Sequence, residues 1–207
     1  MRDVLICDFG GVLTTPLQAG FLAYQEEADV SLEELGTAMA RATEEHGDHP
    51  LFVLERGEIS ETEFGARLER HLGAHFDMNR LRTLFFEGLE PNTPMIELVR
   101  ELRDRGIRTA LLTNNVRDWE PLWRAKLPEV DELFELIVDS AFVGLRKPDP
   151  AIYSLTLERL GGVAPERCVF VDDLDVNCAT ARELGMTAVR FANAGQAIPE
   201  IRTAFSA

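Results

Sequence analysis

The chain of 207 residues is 45% hydrophobic and 28% charged, enough apolar side chain for one sizeable core or a core with a small insertion. Its 21 Lys and Arg against 36 Asp and Glu leave a formal charge of −15. That excess argues against nucleic acid or an anionic membrane as partner, but leaves small anionic substrates open, because one metal ion or lysine can reverse the potential locally. Cys7, Cys168 and Cys178 are too few and too unevenly spaced for a disulfide framework or a zinc site. No apolar stretch is long enough to span a bilayer, and no signal-peptide pattern opens the chain. A cytoplasmic protein is expected, with the choice between monomer and homodimer left open.

In chain order, the first expected element is a strand over Val4–Asp8. From Thr15 to Leu89 the text is helical. Ser31-Leu-Glu-Glu34 and Ser60-Glu-Thr-Glu63 are capping-box signatures, the second followed by Phe64, Leu68 and Leu72 at helical spacing. Strands are then expected at Arg108–Thr113, Glu135–Asp139, Cys168–Asp172 and Thr187–Phe191. Between them lie helices from Pro94 to Arg105, Trp119 to Lys126, Ala151 to Leu160 and Asn177 to Leu184, several stopped by a glycine. The strands are almost continuously apolar, as strands buried on both faces must be. The alternation predicts an α/β fold, a doubly wound parallel sheet. The helical interval then reads as a cap over the carboxyl end of the first strand, where parallel sheets bind ligands. The expected division is a core of residues 1–14 and 90–207 and an all-helical cap of residues 15–89.

Chemistry-bearing side chains fall at the strand ends. Asp8 closes the first strand before Phe9-Gly10-Gly11, Thr113-Asn114 closes the second, and Asp172-Asp173 closes the fourth, with Asp175 and Asn177 just beyond. Lys147 precedes a helix in Arg146-Lys-Pro-Asp-Pro150. Carboxylates are poor strand residues, so three at strand ends argue for a shared anionic cluster. Two carboxylates, a main-chain carbonyl and waters are what Mg²⁺ uses beside a phosphate. A carboxylate can attack phosphorus, and a lysine with a Thr-Asn pair can hold the phosphoryl oxygens. Other features read more plainly: His46 and His49 as a solvated loop rather than a metal pair, and Trp119 and Trp123, four apart, as core.

Four motifs thus occur in order: Asp8-Phe-Gly-Gly-Val12, Leu112-Thr113-Asn114, Arg146-Lys147-Pro148 and Val171-Asp172-Asp173. In that order, with a helical insert after the first, they resemble the haloacid-dehalogenase-like hydrolase superfamily over nearly the whole chain. The segment from Glu55 to Phe64 is similar to the cap of the subgroup holding glucose-1-phosphate phosphatase-like proteins and the phosphatase domain of soluble epoxide hydrolase. The resemblance implies a sheet with strand one between strands two and four. It implies that Asp8 is a nucleophile forming an aspartyl-phosphate, and that Asp8, Asp173 and the Gly10 carbonyl hold Mg²⁺. Thr113, Asn114 and Lys147 would bind the phosphoryl group, Lys147 neutralising Asp8 as well, while Asp172 orients the metal's water shell. Asn177 stands where many members carry another carboxylate. The implied activity is hydrolysis of a small phosphorylated metabolite, a sugar phosphate among the candidates. One departure is plain: most phosphatases of the family carry Asp two positions after the nucleophile as general acid, and here that position is Gly10. His46, His49 and Glu55 are candidates for the missing proton donor. Two other readings remain: a metal-free 2-haloacid dehalogenase, against which the paired Asp172-Asp173 counts, and a slow or non-catalytic binder of a phosphorylated ligand.

Overall fold

Val4–Cys7 (β1) is wholly buried, and it is the central strand of the sheet. The computed structural model describes residues 2–16, 18–28 and 30–206. β2 (Arg108–Thr113), β3 (Leu136–Asp139), β4 (Cys168–Asp172) and β5 (Thr187–Arg190) complete a five-stranded sheet in the order β3-β2-β1-β4-β5. Every pairing is parallel, with Cys7 opposite Leu111 on one side and Val171 on the other. This is the α/β, doubly wound arrangement expected, and its register brings the ends of β1, β2 and β4 side by side.

Burial on both faces explains the continuous apolar runs. Leu5 and Cys7 share a core with Leu98 and Val99 of α6 (Thr93–Asp104) and with Ile201 of α12 (Ala194–Ser206). Val4 and Ile6 point the other way, into a core with Ile152 and Tyr153 of α10 (Pro150–Arg159) and Cys178 of α11 (Asp175–Glu183). Successive strand residues alternate between faces, so a strand with helices on both faces has no polar side. Of the shorter helices, α7 (Glu120–Lys126) and α8 (Val130–Leu133) join the first of these cores through Trp123, Val130 and Leu133, and α9 (Ser140–Val143) packs against the second through Val143. The sequence reading missed α12, because Gly195 and the internal Pro199 obscure its helical period.

Between β1 and α6 lie α1 (Gln18–Ala28), α2 (Leu32–His46), α3 (Pro50–Glu55), α4 (Glu61–Leu72) and α5 (Met78–Glu87). Ser31 closes a full capping box on α2 with Glu34. The second expected box closes by half: Ser60 Oγ accepts from the Glu63 amide at 3.2 Å, but the Glu63 carboxylate pairs with Arg67 one turn on. Two passages of chain join the helical interval to the sheet layer. Thr14 bridges Pro91 in antiparallel fashion, the Thr15 amide donates to the Glu90 carbonyl at 2.8 Å, and the Asn92 side chain donates to the Val12 carbonyl at 2.7 Å. Among the described residues no helix is long and apolar enough to cross a membrane.

The end of α3 is pressed against the sheet layer. Ser140 Oγ donates to the Glu55 carbonyl at 2.6 Å, and Arg146 Nε donates to Glu55 Oε2 at 2.7 Å. The Arg146 guanidinium also stacks 3.9 Å above the Phe52 ring. Gly57, at φ 68°, is so close to the Ala141 carbonyl that a side chain would collide with it. Gly57→Ala therefore meets both a left-handed backbone and a steric clash. We expect a loss of more than about 1 kcal/mol of stability, read from the midpoint of urea unfolding at unchanged slope.

Candidate active site

The register of the sheet builds the site. Asp8 continues β1 by one residue, its amide donating to the Val171 carbonyl at 2.9 Å. Its Oδ1 accepts from the Phe9 amide at 2.7 Å and from the Lys147 ammonium at 2.8 Å. The same ammonium lies 2.7 Å from Asp172 Oδ2. Asp172 Oδ1 in turn accepts from the Leu174 amide and from the Asn177 side chain, both at 2.9 Å. Lys147 is 1% exposed and Asp172 has no exposure, so this is a buried charge cluster in which both Asp172 oxygens and one Asp8 oxygen accept hydrogen bonds.

Burial sets the protonation balance. It pushes the Asp8 carboxyl up, with Lys147 working against that rise. Burial also penalises the Lys147 ammonium, but Asp172 and Asp8 outweigh it and hold the lysine above its ordinary range. Burial, aided by Asp172, raises the half-buried Asp173.

Asp8, Asp172 and Asp173 bring carboxylate oxygens within 4.8 Å of one another, and among the described residues they are the only such trio of His, Cys, Asp or Glu. Ionised, the three carry two negative charges more than Lys147 cancels. Both Asp172 oxygens already accept hydrogen bonds, which leaves Asp8 and Asp173 as the donors with spare lone pairs. An all-oxygen, over-negative set of this kind fits a hard divalent cation such as Mg²⁺. The left-handed turn beside it belongs to Gly11, at φ 75°, where a Cβ would come within 2.6 Å of Asp173 Oδ2. Gly10, whose carbonyl the family resemblance assigns to the metal, precedes that turn and lines the adjoining cavity.

Thr113 is buried at the end of β2, and its hydroxyl makes only a 3.4 Å contact, to the Asn114 carbonyl. Asn114 has a task that spacing did not reveal. Its Oδ1 accepts from the Lys147 amide at 2.8 Å and its Nδ2 donates to the Lys147 carbonyl at 2.9 Å, so its amide pins the lysine loop. Asp175 is exposed and faces Arg182 at 3.6 Å, outside the cluster. His46 lies beside Glu45, and the His49 ring packs 4.4 Å from Phe52; neither joins a metal cluster.

A cavity of about 210 Å³ separates α2–α5 from the carboxyl end of the sheet. Gly10, Thr113, Asn114 and Glu55 line it beside the charge cluster. Trp119 and Trp123 are buried as expected for core, and both also form cavity wall. Glu55 and Arg146 emerge here as a pair that sequence reasoning left apart. Arg146 adjoins Lys147, but nothing local shows that it turns toward α3.

A family model described as haloacid dehalogenase-like hydrolase matches residues 3–185. The chain belongs to the haloacid dehalogenase-like hydrolase family. Bifunctional epoxide hydrolase 2 of Rattus norvegicus is 26% identical over an alignment of 210 residues that covers 94% of this chain and 37% of that protein. The chain therefore spans little more than a third of the length of that relative. A sesquiterpene phosphatase of Aspergillus oryzae is 28% identical over 209 residues, covering 95% of this chain and 93% of the relative. A family enzyme from Bacteroides thetaiotaomicron, in complex with magnesium and inorganic phosphate, shares the fold with a TM-score of 0.67. It is 22% identical, over 95% of this chain and 96% of the other.

The cluster predicts its own fragility. Lys147→Met strands two buried carboxylates and is expected to cost about 3–5 kcal/mol of stability in the metal-free protein. Adding Asp172→Asn removes one stranded charge and should restore part of that loss in the same chemical-denaturation measurement.

Proposed function

We propose that this hydrolase is a Mg²⁺-dependent phosphomonoesterase acting on a small phosphorylated metabolite through an aspartyl-phosphate on Asp8. The observation that carries the reading is the Lys147 ammonium held 2.8 Å from Asp8, with an Asp173 oxygen inside the same cluster. That arrangement sets a cation against the rise that burial gives this carboxyl and leaves its other oxygen for attack. The relatives agree, the Aspergillus oryzae protein being a sesquiterpene phosphatase and the Bacteroides thetaiotaomicron enzyme having been solved with magnesium and inorganic phosphate.

In this reading an Asp8 oxygen forms a bond to phosphorus as the ester P–O bond breaks, and the departing alkoxide takes a proton and leaves as the alcohol. Water then cleaves the acyl phosphate, releasing inorganic phosphate and restoring the carboxylate. Lys147 offsets the charge on Asp8 and the phosphoryl oxygens, and the Thr113 hydroxyl donates to the transferred group. Asn114 acts by fixing Lys147, and Asp172 by holding its ammonium. Asp8, Asp173 and the Gly10 carbonyl would hold Mg²⁺, which when bound supplies positive charge to the phosphoryl oxygens. The helices of residues 15–89 serve as the cap that excludes water from this chemistry.

The proton for the leaving group comes from Glu55. It is the one carboxyl among the described residues lining the cavity, and burial raises it against the opposing pull of Arg146. General acid catalysis is worth about 10²–10⁴-fold where the leaving group is basic. Glu55→Gln is thus expected to slow alkyl phosphates by at least about 10²-fold and aryl phosphates little. Turnover across esters of graded leaving-group pKa measures this, and parallel wild-type and variant profiles would remove Glu55 from the role.

The reading as a whole is tested with a panel of phosphate esters, with Mg²⁺ and with chelator. Asp8→Asn should lower turnover by at least about 10³-fold. Asp173→Ala should weaken Mg²⁺ binding measured by titration calorimetry. Robust halide release from 2-haloacids in chelator would favour the dehalogenase instead.

A further inference from the structure

The cavity beside the charge cluster is built almost wholly from apolar side chains. Met39 of α2, Leu54 of α3, Phe64 of α4 and Leu81 of α5 form its outer wall, and Trp119 and Trp123 its inner one. Most polar groups around it already have partners inside the protein, the buried Trp123 indole N–H being an exception. The Asn114 amide is clasped to the Lys147 main chain, Asn115 Oδ1 accepts from the Val116 amide at 2.9 Å, and Glu55 pairs with Arg146. The Trp119 indole N–H donates to Glu61. The polar part of the lining, Gly10, Glu55, Thr113, Asn114 and Asn115, is gathered at one end, beside the residues assigned to phosphoryl transfer and proton donation. The cavity therefore has a head that suits a phosphoryl group and a tail with few free hydrogen-bonding groups.

That polarity decides between classes of leaving group. A sugar placed in the tail would exchange water for carbon around most of its hydroxyls, at roughly ten-fold in affinity for each hydroxyl left unpaired. An aliphatic chain meets the opposite balance, since each methylene moved from water into such a wall gains about four-fold. A volume of about 210 Å³ has room for on the order of ten to fifteen heavy atoms.

We infer that the substrate is the phosphate monoester of an aliphatic alcohol of about ten carbons, its chain lying between Trp119, Trp123 and the helical layer with its phosphate at Asp8. This inference rests on the phosphomonoesterase reading and replaces the sugar phosphate that the sequence resemblance left among the candidates. The enzyme thereby acts after a reaction that makes a long-chain phosphate ester, and delivers the free alcohol with inorganic phosphate.

The test is a series of straight-chain primary alkyl phosphates, from propyl to decyl, assayed with Mg²⁺ and kept below their critical micelle concentrations. Their leaving groups are equally basic, so chain length alone varies. The specificity constant should climb by about four-fold per methylene until the cavity is full and then level off. Glycerol phosphate and hexose 6-phosphates should fall below propyl phosphate. Met39→Glu, which places a charge on a half-buried stretch of wall, should flatten the climb.

Acetyl phosphate, small and activated, separates this inference from its foundation. If acetyl phosphate turns over while the alkyl series is flat, or while the sugar phosphates win, the aliphatic substrate is wrong and the phosphatase stands. If no phosphate compound turns over, the phosphatase reading fails and the cavity is judged by binding. The chain has 2 tryptophans, and both line the cavity, so intrinsic fluorescence reports its occupant. A saturable change with decyl phosphate, tightening with chain length and absent with glycerol phosphate, supports an aliphatic site. No response to any alkyl phosphate overturns it.

Discussion

A single ammonium group organises the functional end of this molecule. Lys147 Nζ lies between Asp8 and Asp172 at 2.8 and 2.7 Å, in surroundings that admit almost no water. Removing three charges from water is costly, and the cluster persists because its members are hydrogen-bonded to one another and to the main chain. Those bonds come from separate parts of the fold: the Phe9 amide after β1, the Asn114 amide after β2, and Leu174 and Asn177 after β4. Most are local to one strand end; what needs β1 between β2 and β4 is the meeting of Asp8, Asp172 and Lys147 itself. The order of the sheet is thus a requirement of the electrostatics as much as of the core.

The neighbouring residue carries this constraint outward. Arg146 leaves the same loop as Lys147 in the other direction, lying over Phe52 and pairing with Glu55 of α3. Together with the Ser140–Glu55 bond and the close passage of Gly57, it ties the helical layer to the sheet within a few residues of the charge cluster. A shift of that layer would disturb the lysine loop, and loss of the loop would release the layer. Glu55 is buried by this contact, and burial is what raises its carboxyl. One seam therefore fixes the roof of the cavity and tunes the acid that lines it.

Charge and polarity are divided sharply across a short distance. The whole chain has a formal charge of −15, and the cluster itself remains over-negative, a condition that a divalent cation relieves. Just beyond it the cavity wall turns to Phe, Leu, Met and Trp. A phosphate ester with an apolar body matches both halves, which is why the site's two environments can be read together as one binding surface.

Much of this was legible in the sequence, for a definite reason. Near-continuous apolar runs identified all five strands to within a residue at their ends, and the Ser31 box marked the start of α2, because backbone state and burial leave a short-range periodic imprint. The motif residues Asp8, Thr113, Asp172 and Asp173 announced themselves as polar groups at strand ends, where a buried sheet has no other use for them, and Lys147 by its Pro-rich turn before a helix. What tertiary structure alone decided are the partnerships. Asn114 clasps Lys147 across 33 residues, and Arg146 meets Glu55 across 91. Trp119 and Trp123 became cavity wall only because α2–α5 stop short of filling the space above them. Glu63 turned to Arg67 instead of closing the cap of its helix. A sequence specifies which side chains prefer water and how often; which of them meet is fixed when the strands pair, and at that point the chemistry of the site is chosen.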